Sequence, residues 1–431
     1  MTVSTDPPAP PAAASTVTST MPRPATLLRL LVGRGAFRSS VQAMSLILVA
    51  VWGVAEFGPY ANALGMWGWL HLAVATPEKA ALKVLPRTRN LTPALARMAV
   101  RLSAAPLAGL LAALVVLMVL APESTVTLYV TAATWSAGVG VLTTLAGLHR
   151  LHGRPVLDAV GFVAAGCVVA AVTATTWLTG WAPRYHLLAL VAGIVVIVAG
   201  SLAALPRDWV RGPRSPRRLL PRMARLTVLL GVSDVADGLA VGLLYAVLAA
   251  SGQVTDSGPL YLALLGSVLF CQLVFYILRV AQPATSARLR GTGAAAGRRR
   301  ALALLRASER WGLAVVAVLA VLAAVPATRT VPLAVVLGVL MAVETALFVV
   351  VMYASYLLEN TDNAVLAVTS SAAVTGLVVT GVLAAVLVPP LGAVGGVAVL
   401  VMAVVAKAAA MRRLLVRSRP ELRRDPGRTT R

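Results

Sequence analysis

Acidic residues are scarce in this 431-residue chain: 15 Asp and Glu face 38 Lys and Arg, and charged residues of both signs make up only 12%. A soluble globular chain carries about 25% charged residues, so that class is excluded. Cysteine is nearly absent. Cys167 and Cys271 both fall inside apolar stretches, where they read as small packing residues rather than as a disulfide or a metal site. With four His residues and no Ser, His or Cys constellation, the chain offers no catalytic residue and no metal ligand set, and no cofactor is expected. Lysine is rarer still, 3 residues against 35 Arg, a bias of the kind a GC-rich genome imposes.

What remains is hydrophobic. The apolar share is 59% and the mean hydropathy is +0.85, so lipid must be most of the solvent. A spanning helix takes about 20 apolar residues. Twelve stretches qualify, beginning near 41–58, 61–76 and 100–121 and ending near 331–358, 364–389 and 391–411. The expected fold class is therefore an all-α integral membrane protein of about 12 transmembrane helices.

A net charge of +23 in a soluble protein would suggest nucleic acid. Here it follows the positive-inside rule, by which cytosolic loops collect Lys and Arg. With a cytosolic N-terminus, basic residues fall inside at Arg23 to Arg38, Lys79 to Arg101, Arg150 and Arg154, Arg207 to Arg225, Arg279 to Arg310, and Lys407 to Arg431. Only Arg184 and Arg329 fall outside. Both termini are then cytoplasmic, membrane lipid is a partner, and no nucleic acid is expected. The gap at 359–363 is cytosolic in this scheme yet holds no basic residue.

Residues 1–22 are rich in Pro, Ala, Ser and Thr and lack the basic and apolar regions of a signal peptide; they read as a disordered tail. Gly58-Pro59-Tyr60-Ala61-Asn62-Ala63-Leu64-Gly65 returns, with one insertion, as Gly258-Pro259-Leu260-Tyr261-Leu262-Ala263-Leu264-Leu265-Gly266. Each copy reads as the outer turn of a hairpin that ends in a basic run. Helices 1–6 and 7–12 are then parallel repeats, which place a site near the midplane between them. The expected organisation is a basic tail over 1–37, an N-lobe over 38–205, a Pro- and Gly-broken linker over 206–225, a C-lobe over 226–412 and a basic tail over 413–431.

Ionisable groups inside a bilayer cost about 2.5–3.5 kcal/mol each on insertion scales and normally face a cavity or a partner. Asp234 and Asp237, three residues apart on helix 7, share a face; with Glu344 in helix 10 they are candidates for proton coupling. Glu56 and His71 lie nearer helix ends, Glu56 as a further cavity carboxylate and His71 as hydrogen-bonded packing. Arg101, Arg279 and Arg310 stand at the cytosolic mouth, where guanidinium groups suit the phosphate of a headgroup. Arg298-Arg299-Arg300 through Arg306 reads as a short amphipathic helix on the inner leaflet. The tryptophans, Trp69 and Trp135 among them, read as interface anchors.

Three short motifs carry a resemblance. Phe57-Gly58-Pro59-Tyr60-Ala61, Tyr356-Leu357-Leu358-Glu359-Asn360 and Val388-Pro389-Pro390-Leu391-Gly392-Ala393-Val394-Gly395-Gly396 are similar to hairpin motifs of the multidrug/oligosaccharidyl-lipid/polysaccharide (MOP) exporter superfamily, and resemble its polysaccharide flippase branch. The resemblance covers roughly 38–415. It implies a V-shaped, MATE-like bundle of two six-helix lobes in a bacterial plasma membrane. It also implies alternating access for a lipid-linked oligosaccharide or polysaccharide precursor, with glycosyltransferase or polymerase machinery as partners and a proton gradient as a driving force. Two departures stand out. The lipid II flippases of the superfamily carry Arg within helix 1, whereas 41–60 holds only Glu56, and Pro77-Glu78-Lys79-Ala80-Ala81-Leu82-Lys83 is more charged than the pattern after helix 2.

Two other readings stay open. In a proton-coupled drug or metabolite antiporter of the same superfamily, cavity carboxylates would exchange a cation for protons. An integral membrane enzyme acting on lipid phosphate would use Asp234 and Asp237 as metal ligands, but helix 8 supplies no further carboxylate for Mg²⁺, and the chain reads as no enzyme.

Overall fold

The computed structural model describes residues 24–85, 91–211, 219–289, 292–324, 331–361 and 365–418. The described part is helical and contains no strand. The helices are α1 (Pro24–Trp67), α2 (Trp69–Val84), α3 (Thr92–Leu120), α4 (Thr125–Leu151), α5 (Pro155–Thr179), α6 (Pro183–Ala203), the short α7 (Arg207–Arg211), α8 (Leu219–Ala250), α9 (Ser257–Arg288), α10 (Thr292–Ala324), α11 (Leu333–Glu359) and α12 (Leu366–Ser418).

Nine helical stretches among the described residues are long and apolar enough to cross a membrane, fewer than the twelve expected. The difference has a geometric reason. One stretch, Leu28–Val84, holds 57 residues and another, Leu366–Ser418, holds 53; at 1.5 Å per residue each is about 80 Å long, far beyond a hydrocarbon core of about 30 Å. Each is broken by a glycine in the left-handed region, Gly53 at φ 72° and Gly392 at φ 54°. Each bent stretch therefore makes two crossings, giving eleven. α10 is charged through Arg310, and its apolar second half supplies the remaining candidate.

Several boundaries differ from the sequence expectation. Helix 1 begins at Pro24 rather than near 41, so residues 24–37 of the expected tail are helical. The first outer turn falls at Gly53, not at Gly58-Pro59, which continues the helix beyond the kink. α2 runs on to Val84, so Lys79 and Lys83 are in a helix, not a cytosolic loop. The linker region contributes α7 and the first turns of α8, and Arg298 to Arg306 open α10 instead of forming a separate surface helix. α12 extends to Ser418, six residues into the expected tail. Residues 1–23, 212–218 and 419–431, read from sequence as parts of the tails and the linker, lie outside the described residues.

The repeated motif has a structural counterpart. Gly53 precedes Gly58-Pro59 by five residues, and Gly252, at φ 75°, precedes Gly258-Pro259 by six. Each lobe also pairs its helices in the same way: α1 packs on α5 in the first lobe and α8 on α12 in the second. The lobes meet where α1 lies against α9 and α2 against α8.

Close approach of α2 to α8 depends on Gly238 and Gly242 of α8. A Cβ on Gly238 would stand 2.9 Å from the Trp69 Cα, and one on Gly242 would stand 2.8 Å from the Met66 carbonyl oxygen. Small residues four apart let helix backbones meet where lipid offers no hydrophobic drive. The first lobe has one continuous apolar core, with Phe37, Leu48, Leu145 and Ile194 at its centre. In the second lobe the core splits into a cluster around Leu305, Leu358 and Met411 and another around Leu244, Leu260 and Val397. Asp237, Glu344 and Lys407 line a cavity beside those clusters.

Candidate functional site: a chamber between two polar closures

Both described chain ends lie at the same end of the bundle, here called the basic end. There, side chains from both lobes form a continuous ionic lattice. In α2, Glu78 accepts from Arg150 of α4 at 2.5 Å and from Arg279 of α9 at 2.6 Å. Arg279 also reaches Asp234 of α8 at 3.1 Å. Lys79 contacts the other Asp234 oxygen at 3.1 Å, Glu359 of α11 at 2.7 Å and the Leu230 carbonyl at 3.0 Å. Lys83 donates to the Glu359 carbonyl at 2.7 Å.

The lattice continues through Asp158 of α5. Its carboxylate lies 3.1 Å from Arg150 and 3.4 Å from Arg34, and it accepts from the Tyr276 hydroxyl of α9 at 3.1 Å. Arg34 is further held over the Phe162 and Tyr276 rings. Four cations, Arg34, Lys79, Arg150 and Arg279, thus balance four carboxylates, Glu78, Asp158, Asp234 and Glu359. Glu78 and Arg279 are 2% and 5% exposed. Charges so deep are tolerated only when each is paired and hydrogen-bonded.

The opposite closure is neutral. Asn62, just past the Gly53 kink, donates to the Tyr245 carbonyl at 3.0 Å and to the Ser257 hydroxyl at 2.9 Å, both in the other lobe, while Tyr129 of α4 donates to its carbonyl oxygen at 2.5 Å. The arm of α1 before the kink is tied to the turn between α5 and α6 by the Trp52 indole, which donates to the Trp181 carbonyl at 2.8 Å.

Between the closures lies a chamber of about 320 Å³, lined by both lobes. Its ionisable lining is Arg38, His71, Asp237, Glu344 and Lys407. Asp237 and Lys407 satisfy each other: the Lys407 ammonium is 2.7 Å from both Asp237 oxygens and 3.5 Å from the Ser233 hydroxyl. Arg38 donates to the neutral Gln272 side chain at 3.3 Å, and Glu344 accepts from the Ser267 hydroxyl at 3.3 Å. Trp69 and Trp135 also line the chamber, so these two rings are not the interface anchors the sequence suggested.

The candidates read from sequence therefore divide. Asp234, Asp237, Glu344 and Arg279 face the space between the lobes, but Asp234 and Asp237 are not a bare carboxylate pair: each has its own cation. Glu56, Arg101 and Arg310 are exposed on the outside of the bundle and belong to neither the lattice nor the chamber. Their helices point them outward, a distinction that depth along a helix does not encode.

Sequence reasoning missed Arg34 and Arg38, placed at the edge of the tail, and Glu78, Lys79, Lys83, Asp158, Glu359 and Lys407, read as loop charges or left unassigned. Signals were present. The excess charge of 77–83 was one, and the absence of basic residues at 359–363 was another. A third was lysine itself: in a chain with 35 Arg, the only three lysines, Lys79, Lys83 and Lys407, are 5%, 2% and 4% exposed. Composition bias sets the exposed cations, while these buried positions keep a compact ammonium that a planar guanidinium would not fit equally.

No family model and no curated protein sequence matches the chain. Solved structures do. A MOP superfamily transporter from Pyrococcus furiosus, described as having a binding pocket of reverse polarity that suggests a different function, is 14% identical with a TM-score of 0.56, over 96% of this chain and 99% of that one. A multidrug resistance MATE family transporter of the MOP superfamily in an outward-facing conformation is 16% identical with a TM-score of 0.56, over 92% and 96%. A MATE structure in a straight conformation is 16% identical, also with a TM-score of 0.56, over 96% and 99%. Over nearly its whole length, this chain has the fold of MATE and MOP superfamily transporters.

Proposed function

We propose that this protein is a membrane transporter that works by alternating access. It carries the phosphate-bearing headgroup of a lipid-linked glycan precursor through the chamber between its lobes. The observation that carries the reading is the pair of polar closures on either side of one chamber: the ionic lattice at the basic end and the Asn62 cluster at the other. Each is built across the lobe boundary, so each is lost when the lobes part on its side. Two packed arrangements that exchange such contacts make a bistable element, and rocking of two repeats about a central site is how inverted or parallel repeats give alternating access.

Arg38 supports the choice of an anionic headgroup. It lies in the first arm of α1, lines the chamber and is hydrogen-bonded to a neutral amide, which leaves guanidinium donors for phosphate. The departure noted in sequence, an absence of Arg from helix 1, disappears once that helix begins at Pro24. By the positive-inside rule the basic end is cytoplasmic, the headgroup enters there, and the lipid tail stays in the bilayer.

A second reading, a proton-coupled cation antiporter, is favoured by Glu344, a chamber carboxylate with no cation on it. One experiment separates the two. The protein is reconstituted in liposomes with a fluorescent polyprenyl-phosphate glycan, and the glycan's exposure to an external lectin is followed. Protein-dependent movement that falls on Arg38→Ala supports the glycan reading. No movement, together with pH-gradient-driven uptake of a cationic dye that requires Glu344, replaces it with the antiporter.

A further inference from the structure

The ionisable lining of the chamber can be sorted by what is already satisfied. Asp237 and Lys407 cancel. Two charges remain. Arg38 has one hydrogen bond, to Gln272, and stands against the Phe37 ring; among the described residues no carboxylate lies within ion-pair distance of it. Glu344, 7% exposed, accepts one hydrogen bond, from Ser267, whose hydroxyl is itself approached by Thr345 at 2.7 Å. A third lining atom is also unsatisfied: His71 gives Nδ1–H to the Gly68 carbonyl at 2.5 Å, and its buried Nε2 has no partner.

An unpaired ion in a bilayer interior is costly and is kept where a partner arrives. Here a guanidinium and a carboxyl group line one chamber and pair neither with each other nor, among the described residues, with any other ionisable group. The reason is visible in α9. Arg38 is tethered at Gln272 and Glu344 at Ser267, five residues apart, so the tether points are about 7.5 Å apart along that helix. A single small anion would satisfy Arg38 and leave Glu344 bare; a single cation would do the reverse.

We infer that the chamber is a bipolar site whose ligand carries an anionic and a cationic group together, a phosphate or carboxylate on Arg38 and an ammonium on Glu344. Taken with the proposed transport, on which this assignment of cargo rests, the headgroup that crosses is zwitterionic, with a free amine within a few bonds of its phosphate. The same chemistry is offered by a zwitterionic lipid headgroup and by a soluble amino phosphate.

The test is isothermal titration of the purified full chain with 2-aminoethyl phosphate, ethyl phosphate and ethylamine. The zwitterion should bind at least tenfold tighter than either single-charge probe, since each charge-assisted contact contributes about ten- to hundredfold. Arg38→Gln and Glu344→Gln should each reduce it to the level of a single-charge probe. The cross terms guard against misfolding: Glu344→Gln should leave ethyl phosphate binding intact, and Arg38→Gln should leave ethylamine binding intact. A zwitterion that binds no tighter than ethyl phosphate or ethylamine, or whose affinity survives Glu344→Gln, overturns the inference.

Dihexanoyl phosphatidylethanolamine below its micellar concentration identifies the source: tighter binding than 2-aminoethyl phosphate supports a lipid headgroup, and weaker binding supports a soluble ligand. The liposome assay keeps the two claims apart. Glycan movement without bipolar binding removes this inference alone, and bipolar binding without any transport removes the transport reading alone.

Discussion

Lys79 of the first lobe contacts three groups of the second, and Lys79→Met removes its ammonium with little change in volume. Three contacts vanish at once, to Asp234, Glu359 and the Leu230 carbonyl. Asp234 keeps Arg279 at 3.1 Å, but Glu359, whose side chain is 3% exposed, is left without its cation. Removing one partner of a buried ion pair costs about 3–5 kcal/mol. All three contacts cross the lobe boundary, so the loss falls on the arrangement closed at the basic end and not on either lobe alone.

At about 1.4 kcal/mol per factor of ten, the balance between closed and open should move by roughly two to three and a half decades. Spin labels at Arg154→Cys, in the turn before α5, and Arg306→Cys, on α10, in a background without Cys167 and Cys271, would read it by pulsed electron double resonance. The expected result is a new, longer distance population in Lys79→Met that the wild type lacks. A single unchanged distribution in Lys79→Met, with the variant folded, would refute the lattice as the closure of the basic end.

Three further outcomes follow from the same geometry. Asn62→Leu removes three hydrogen bonds at the opposite closure, a net loss of about 2–4 kcal/mol, and should make Ser257→Cys reactive to a membrane-impermeant maleimide while leaving the basic end closed. Gly392→Ala forces a Cβ into a backbone at φ 54° and against the Asp256 carboxylate, a strain of about 1–3 kcal/mol; a lower melting temperature in detergent is expected, and an unchanged one would mean that the two arms of α12 can bend differently. Arg101→Ala and Arg310→Ala alter exposed side chains outside the chamber, so stability should stay within about 0.5 kcal/mol and ligand titrations should be indistinguishable from wild type.

Much of the architecture was written in the sequence for physical reasons. Apolar runs of spanning length have few alternatives to helices in lipid, because every backbone group must be satisfied within the chain. The motif at 258–266 opens α9 after Gly252, and the run Pro389-Pro390-Leu391-Gly392 ends a helix arm where expected, because proline removes a donor and glycine permits a positive φ. The same reasoning misplaced the first turn. Gly58-Pro59 looks like a break, yet a proline is tolerated within the first turns of an arm that Gly53 has already started.

Charges were read less well, and the errors share one cause. Positive-inside counting treats each basic residue as an anchor; Arg101 and Arg310 are exposed on the bundle, whereas Lys79, Lys83 and Lys407 are buried in polar contacts and Arg38 lines the chamber. A basic residue near a helix end can turn toward lipid headgroups or toward the other lobe, and both choices look alike in one dimension. Depth, by contrast, was legible: Asp237 and Glu344 stood out because an ionisable group in an apolar run has a high cost anywhere.

By itself the sequence determined that this chain is a polytopic helical bundle of two related halves with carboxylates near its middle, because hydropathy and insertion cost are local properties of a segment. Only the tertiary structure decided which charges neutralise one another and which are left over. Pairing depends on helix rotation and on contacts between residues far apart in the chain, such as Glu78 with Arg279 and Asp237 with Lys407. It is the remainder of that pairing, Arg38 and Glu344, that gives the chamber its chemistry.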